Sequence, residues 1–320
     1  MTVSFNDLYA TTTTFQNYEQ LNFVCLWMAK IDARGLQALA IFFTIHPTVS
    51  TLHLIDCGIT SEMSCSLATI CKEAKSLKNF VVDHNPIGSK GASQIFNGIR
   101  DHSSIISGLQ NLSLKYCECD IDCAESLALM LSNNIFLTTL DLTGNYLEDE
   151  SLFLIAETLK QNKTLTTLSL AANGILVHEN IGLMPPNEQN AATPLSNGLG
   201  MKMSSKGRPS ISAGDIKKIK IFDSAVTFPG VQCLSQSLST FNTTLRVLDL
   251  SGNHFGNQAG EEVLKMLQAR KSKSSPLVCH VTERLTVDLF EKIWELNNSM
   301  TSLSGKKSGK KSSKGGKKKK

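Results

Sequence analysis

Long apolar runs are missing from this 320-residue sequence: none approaches the roughly 20 residues that a membrane-spanning helix needs, so no membrane span is expected. The opening residues, Met1-Thr-Val-Ser-Phe-Asn-Asp7, lack the basic stretch and apolar core of a secretory signal, which points to the cytoplasm. The nine cysteines are odd in number and sit in a long chain, so reduced thiols are expected rather than a disulfide framework. Any asparagine followed at the second position by Ser or Thr, as in Asn162-Lys-Thr164 and Asn242-Thr-Thr244, is then a chance sequon. An even distribution of charge is also missing. Nine of the 32 basic residues are lysines between 306 and 320, which leaves 23 basic against 28 acidic groups before them. A mildly acidic body therefore carries a strongly basic arm.

What is present is a repeat. Leu137-Thr-Thr-Leu140-Asp-Leu142-Thr-Gly-Asn145-Tyr-Leu147 is followed 28 residues later by Leu165-Thr-Thr-Leu168-Ser-Leu170-Ala-Ala-Asn173-Gly-Ile175. A third clear copy runs from Leu245 to Phe255. Weaker copies begin at Leu21, Val49, Leu77, Leu109 and Ile216, giving about eight units. In each, the two residues of L-x-L point the same way on a short strand. The asparagine turns the chain and offers its amide to neighbouring backbone. A helical apolar pattern follows, as in Glu150 to Leu159. One such unit cannot bury its own apolar face, whereas stacked units can.

The pattern L-x-x-L-x-L-x-x-N-x-L resembles the leucine-rich-repeat family, specifically its 28-residue ribonuclease-inhibitor-like subfamily. The resemblance implies an α/β solenoid, a horseshoe with an inner parallel sheet and outer helices. That subfamily includes sensor regions of NOD-like receptors, Ran GTPase-activating proteins, tropomodulin-type actin caps and ciliary scaffolds. Ala29, Cys57, Cys117 and Ser224 stand where other units have asparagine, and cysteine resembles the subfamily's usual alternative. The predicted organisation is an N-terminal extension or ragged cap over 1–20 and a repeat domain over 21–272. A loop insertion over 176–214, a C-terminal cap over 273–300 and a disordered lysine-rich tail over 301–320 complete it. Leu277 to Val281 offers an edge strand, and the helical spacing of Leu285, Leu289 and Ile293 predicts a cap in which Trp294 packs.

A catalytic or metal constellation is not apparent. Cys117-x-Cys119-x-x-x-Cys123 has no second ligand pair and already fills turn, core and helix positions of the repeat. Asp83, His84, His53 and Asp56 fall on the inner face of neighbouring units but lack a nucleophile or oxyanion donors. Gly88-Ser-Lys90 lacks the spacing of a phosphate loop. No cofactor, metal or enzymatic activity is expected.

The inner face is built by the x positions. Early units place Phe23, Trp27, Met28, His53, Asp56, Asp83, His84, Lys115 and Tyr116 there, and middle units place Thr139, Thr143, Thr167, Ser169 and Ala171. Lys218, Lys220, Phe222 and Asp223 belong to the unit at Ile216. Aromatic and charged anchors dominate protein interfaces, so Trp27, Asp56, Asp83, His84, Lys115 and Tyr116 are the candidate partner-binding residues. Lys306, Lys307, Lys310, Lys311, Lys314, Lys317, Lys318, Lys319 and Lys320 are candidates for an acidic surface such as the tails of tubulin. The tail has no aromatics for base stacking, so sequence-specific nucleic-acid binding is not expected. The expected function is a non-enzymatic scaffold or adaptor, in a cytoskeletal or ciliary setting, with the nucleus less favoured. The alternative is regulation of a small GTPase, although Ran-type regulators usually carry an acidic stretch where this chain is basic. An innate-immune sensor would usually need a nucleotide-binding domain that these 320 residues lack.

Overall fold

The computed structural model describes residues 2–102, 104, 106–174, 202–203, 209–210, 230–282 and 284–305. Eight strands form one parallel sheet: β2 (Phe23–Trp27), β4 (Thr51–Ile55), β5 (Asn79–Val81), β6 (Asn111–Ser113), β7 (Thr139–Asp141), β8 (Thr167–Ser169), β11 (Val247–Asp249) and β12 (Val278–His280). Helices pack in a second layer: α2 (Ala33–Ile45), α3 (Ser64–Glu73), α4 (Gly88–Arg100), α5 (Ala124–Asn133), α6 (Glu148–Leu159), α7 (Gly230–Thr240) and α8 (Asn257–Ser272). The core between the layers is made of the motif's leucines. Leu52 and Leu54, Leu140 and Leu142, and Leu168 and Leu170 are all fully buried, each contributing about 1.5–3 kcal/mol of burial. Each helix turns one apolar face to them, for example Leu127, Met130 and Leu131 of α5.

Segment 1–20 is an ordered element rather than a ragged one. β1 (Thr2–Val3) pairs in parallel with β3 (Lys30–Ile31), and α1 (Phe5–Phe15) packs on α2. Ser4 and Asp7 form a reciprocal capping box that satisfies the first turn of α1. The threonines that look unsuited to a helix donate their hydroxyls to backbone carbonyls one turn back, Thr11 to Asp7 and Thr13 to Tyr9. At the other end α9 (Val287–Gly305) crosses the last strand. Asn297 accepts from Cys279 N and donates to Cys279 O, pairing the sheet edge as a further strand would. Leu289 and Ile293 are buried there, whereas Trp294, expected to pack, is 59% exposed.

The sheet corrects the repeat count. Thr167, Leu168 and Ser169 of β8 lie directly opposite Val247, Leu248 and Asp249 of β11, so no strand of a unit at Ile216 comes between them. Residues 216–229 lie outside the described residues, as do Lys218, Lys220, Phe222, Asp223 and Ser224. The eighth strand is β12 instead, the edge strand anticipated at Leu277–Val281. Asn173 and Asn253 are 80 residues apart yet hydrogen-bonded neighbours, against the 28 that separate Asn145 from Cys117. The insertion is therefore about 52 residues long, more than the expected 176–214 loop provides, and it falls between β8 and α7. Of the loop expected at 176–214, the described part is an antiparallel pair, β9 (Lys202–Met203) with β10 (Pro209–Ser210). At Gly230 of α7 a Cβ would lie 2.2 Å from Leu152 Cβ and 2.4 Å from Asp149 O. Only glycine lets α7 approach α6 this closely.

Candidate protein-binding surface

The surface begins with what fixes the strands. Asn145 Oδ1 accepts from Cys117 N and Cys119 N at 3.0 Å each, and its amide donates to Leu114 O and Leu142 O at 2.8 Å. Asn85 does the same with Cys57 N, Ile59 N, Leu54 O and Val82 O. Where cysteine replaces asparagine, its thiol makes only the donor half of this set, Cys57 to Leu26 O and Cys117 to Val82 O, each at 3.3 Å. Burial pushes these thiols up, to about 11 for Cys57 and about 12 for Cys117, and Cys119 rises through its hydrogen bond with Cys123 and through burial. The Cys117-Cys119-Cys123 group is thus core. Among the described residues no cluster of three or more His, Cys, Asp or Glu is arranged to hold a metal ion, and no helix is long and apolar enough to cross a membrane.

Held in register, the outward positions form rows across the sheet. One row runs Phe23, Thr51, Asn79, Asn111, Thr139, Thr167 and Val247, and the next Cys25, His53, Val81, Ser113, Asp141, Ser169 and Asp249. A further row lies where each strand turns: Met28, Asp56, His84, Tyr116, Gly144, Ala172 and Gly252 all have φ between +51° and +73°. This left-handed residue turns the chain just before the asparagine or cysteine of each unit, or before Ala29 in the first. Glycine suits it best, and the non-glycine residues there are the less common choice. Three of the six candidates, Asp56, His84 and Tyr116, occupy this row. The motif has no letter for that position, so its backbone conformation was not readable from the sequence.

The early units expose large groups. Trp27 is 69% exposed, Met28 56%, Tyr116 49% and Phe23 47%. The Phe23 ring meets His53 edge-on at 5.0 Å, and His84 stacks on Tyr116 at 4.7 Å with the ring planes 16° apart. Tyr116 lies over Gly144, where a Cβ would come within 2.2 Å of its ring. Asp83 and Lys115 differ from the other four candidates because their polar groups are already engaged. Asp83 Oδ1 accepts from Ser113 Oγ at 2.6 Å and from Lys115 N at 2.9 Å. Lys115 Nζ pairs with Asp141 Oδ2 at 3.0 Å, which raises its pKa against the opposing effect of burial. The structure therefore brings His84 and Tyr116 together, leaves Trp27 in the aromatic group of the first unit, and makes Asp83 and Lys115 supports. The lysines from Lys306 to Lys320 lie outside the described residues.

A second ladder went unnoticed in the sequence. Asn162 and Asn242, the two chance sequons, each accept from the amides two and three residues on and donate to carbonyls of the preceding unit. Asn134 accepts in the same way from Phe136 and Leu137. The signal was an asparagine three residues before a motif's first leucine. Twenty-eight residues after Asn242 stands Arg270, fully buried, which donates to the carbonyls of Leu238, Asn242, Leu245 and Ser275. Burial, with Arg246 nearby, lowers its pKa to about 10.

A Leucine Rich repeat family model matches residues 133–156 and 241–264, two segments that span two of the three clearest motifs. NACHT, LRR and PYD domains-containing protein 5 of Bos taurus is 31% identical over 133 residues, which is 41% of this chain and 12% of that protein. NACHT, LRR and PYD domains-containing protein 3 of Rattus norvegicus is 25% identical over 227 residues, covering 66% of this chain and 21% of its own length. The chain thus spans about a fifth or less of these relatives. A solved structure of Leiomodin-1 Actin-Binding Site 2 aligns with a TM-score of 0.37 and 16% identity, over 67% of this chain and 88% of that one.

Proposed function

Starting from a chain that is a leucine-rich-repeat protein, with its parallel sheet and outer helices, we propose that it works as a scaffold or adaptor whose partner docks on the sheet over the first four units. The carrying observation is that Trp27 at the end of β2, and Met28, His84 and Tyr116 in the turns that follow their strands, are exposed on a backbone fixed by buried hydrogen bonds. Aromatic groups on a rigid platform bind with little loss of side-chain freedom. Asp56 is exposed beside them and supplies a charge for orientation, while Asp83 and Lys115 hold the platform in shape.

The finer part of the proposal concerns the lysines from Lys306 to Lys320. Their density suits an acidic polymer, and we place the protein in the cytoplasm on a cytoskeletal or ciliary structure, with the acidic tails of tubulin as the partner to test first. This step rests on the charge of that segment alone. The small-GTPase alternative gains no support from the relatives described. Its carboxylates and imidazoles are read as contacts, and no reaction is assigned to the surface.

Cross-linking mass spectrometry of the tagged protein in native extract tests the reading. Cross-links from the strands around Trp27 and Tyr116 to one protein, lost in a Trp27→Ala/Tyr116→Ala variant that stays folded, are the expected result. Unchanged cross-linking by that variant overturns the assignment of the surface, and cross-links to a small GTPase overturn the scaffold reading.

A further inference from the structure

Opposite the aromatic units, at the far end of the same sheet, a cleft of ≈370 Å³ lies between the last two strands and α9. Its walls include Asp249 and His280 from the sheet and Phe290, Trp294 and Asn297 from the helix. Asp249 is held in place because its Oδ1 accepts from Ser251 N at 2.9 Å and Ser251 Oγ at 2.7 Å. Trp294 is exposed, and Glu291 and Glu295, both exposed, stand on the same stretch of α9. The nearest lysine on the helix, Lys292, is paired with Asp288 at 3.4 Å. An indole face and a carboxylate lining one cleft are the chemistry that holds an ammonium group, through attraction to the ring's electron-rich face and to the anion together.

We propose that this cleft binds lysine side chains, and that its occupant is the segment 306–320 of the same chain. Two observations select this occupant over a partner's peptide. The segment carries nine lysines and no acid, so its charge is opposite to that of Asp249, the one carboxylate in a lining that holds no lysine or arginine. It also begins where α9 ends, eleven residues beyond Trp294, which is about 16 Å along a helix. Fifteen extended residues reach roughly 50 Å, so the segment returns to the cleft with length to spare. Joined covalently, it has a local concentration that a free basic peptide seldom matches. The consequence is a coupling: an acidic partner of the lysines must first displace them from the cleft. The inference uses the charge of the segment and is independent of the aromatic surface on the first four units.

The test uses the full chain with its nine segment lysines replaced by serine, and a synthetic peptide of residues 306–320, titrated by isothermal calorimetry at physiological ionic strength. The peptide is expected to bind the serine variant at least about tenfold more tightly than the native chain, whose cleft is filled. Trp294→Ala in the serine variant is expected to lose about tenfold, and Glu291→Gln/Glu295→Gln, which keeps side-chain size, a smaller factor in the same direction. Trp27→Ala is expected to leave this binding unchanged. Equal binding to native and serine-replaced chains, no binding to either, or indifference to both the Trp294 and the glutamate changes overturns the proposal. Carbodiimide coupling in a mixture of light and heavy isotope-labelled native chains gives a second reading. Links from the segment to Asp249, Glu291 or Glu295 within one chain support it, and links only between light and heavy chains overturn it.

Discussion

The first four units and the next three share one backbone and face the same way, yet they present different surfaces. Early units carry Phe23, Trp27, Met28, His53, His84 and Tyr116 outward, whereas Thr139, Thr143, Thr167, Ser169, Ala171 and Ala172 occupy the matching places later. The later groups also bond mainly with one another: Thr143 donates to Asp141 at 2.6 Å and its hydroxyl meets that of Ser169 at 2.8 Å. Beneath both lie buried apolar residues and a ladder of buried asparagine or cysteine side chains. Stability therefore resides in the inward positions and recognition in the outward ones, and each can be altered with little change in the other.

The sharpest way to break this separation is to remove an inward polar group. Arg270→Met strips the donors from four carbonyls near the last strands, two of them between α7 and β11. It is expected to destabilise by about 3–5 kcal/mol, read as a lower midpoint in urea unfolding. Asn145→Ala leaves two buried amides and two carbonyls without their partner, with an expected loss of about 3 kcal/mol, while Cys117→Ala, losing the weaker thiol donor, costs nearer 1 kcal/mol. A near-equal loss in those two variants would mean that the asparagine's acceptor half contributes nothing.

Gly144→Ala tests the boundary between the two regions. It strains a φ of +73° and drives a methyl group into Tyr116, so about 1–2 kcal/mol is expected together with a displaced ring, visible as a changed near-ultraviolet dichroism. Trp27→Ala sits at the small end for stability, within about 0.5 kcal/mol, because the side chain is already in water. Its effect should appear in partner capture instead. Thiol labelling gives the mildest contrast: in the native protein at pH 8, Cys25 and Cys65 are expected to react while Cys57, Cys71, Cys117 and Cys279 stay unmodified. These four are buried with raised pKa values, so little of the reactive thiolate is present, and labelling of Cys117 without denaturant would show that the ladder opens.

The repeat made most of the fold readable, because L-x-L at 28-residue spacing states both which residues point inward and which strands are neighbours. It misled at Ile216. Ile216, Ile219 and Ile221 imitate the alternation, and alternation is a local property that cannot reveal that Thr167 pairs with Val247. The candidate surface was legible as positions but not as chemistry. Asp83 and His84 are adjacent in sequence, yet one carboxylate is bound into its neighbours and the other ring is stacked in the open. Trp294 was misjudged because helical spacing identifies a buried face through its several leucines, and gives no limit to how far round the helix that face extends.

β8 and β11 pair without shifting the strand register by one residue, although Thr167 and Val247 are 80 residues apart in sequence. Like a bracketed clause in a sentence, the intervening stretch can be lengthened, shortened or exchanged while the grammar on either side still parses. Evolution, or a protein engineer, is then free to splice a new module at that joint, and the horseshoe becomes a chassis with a socket already cut into it.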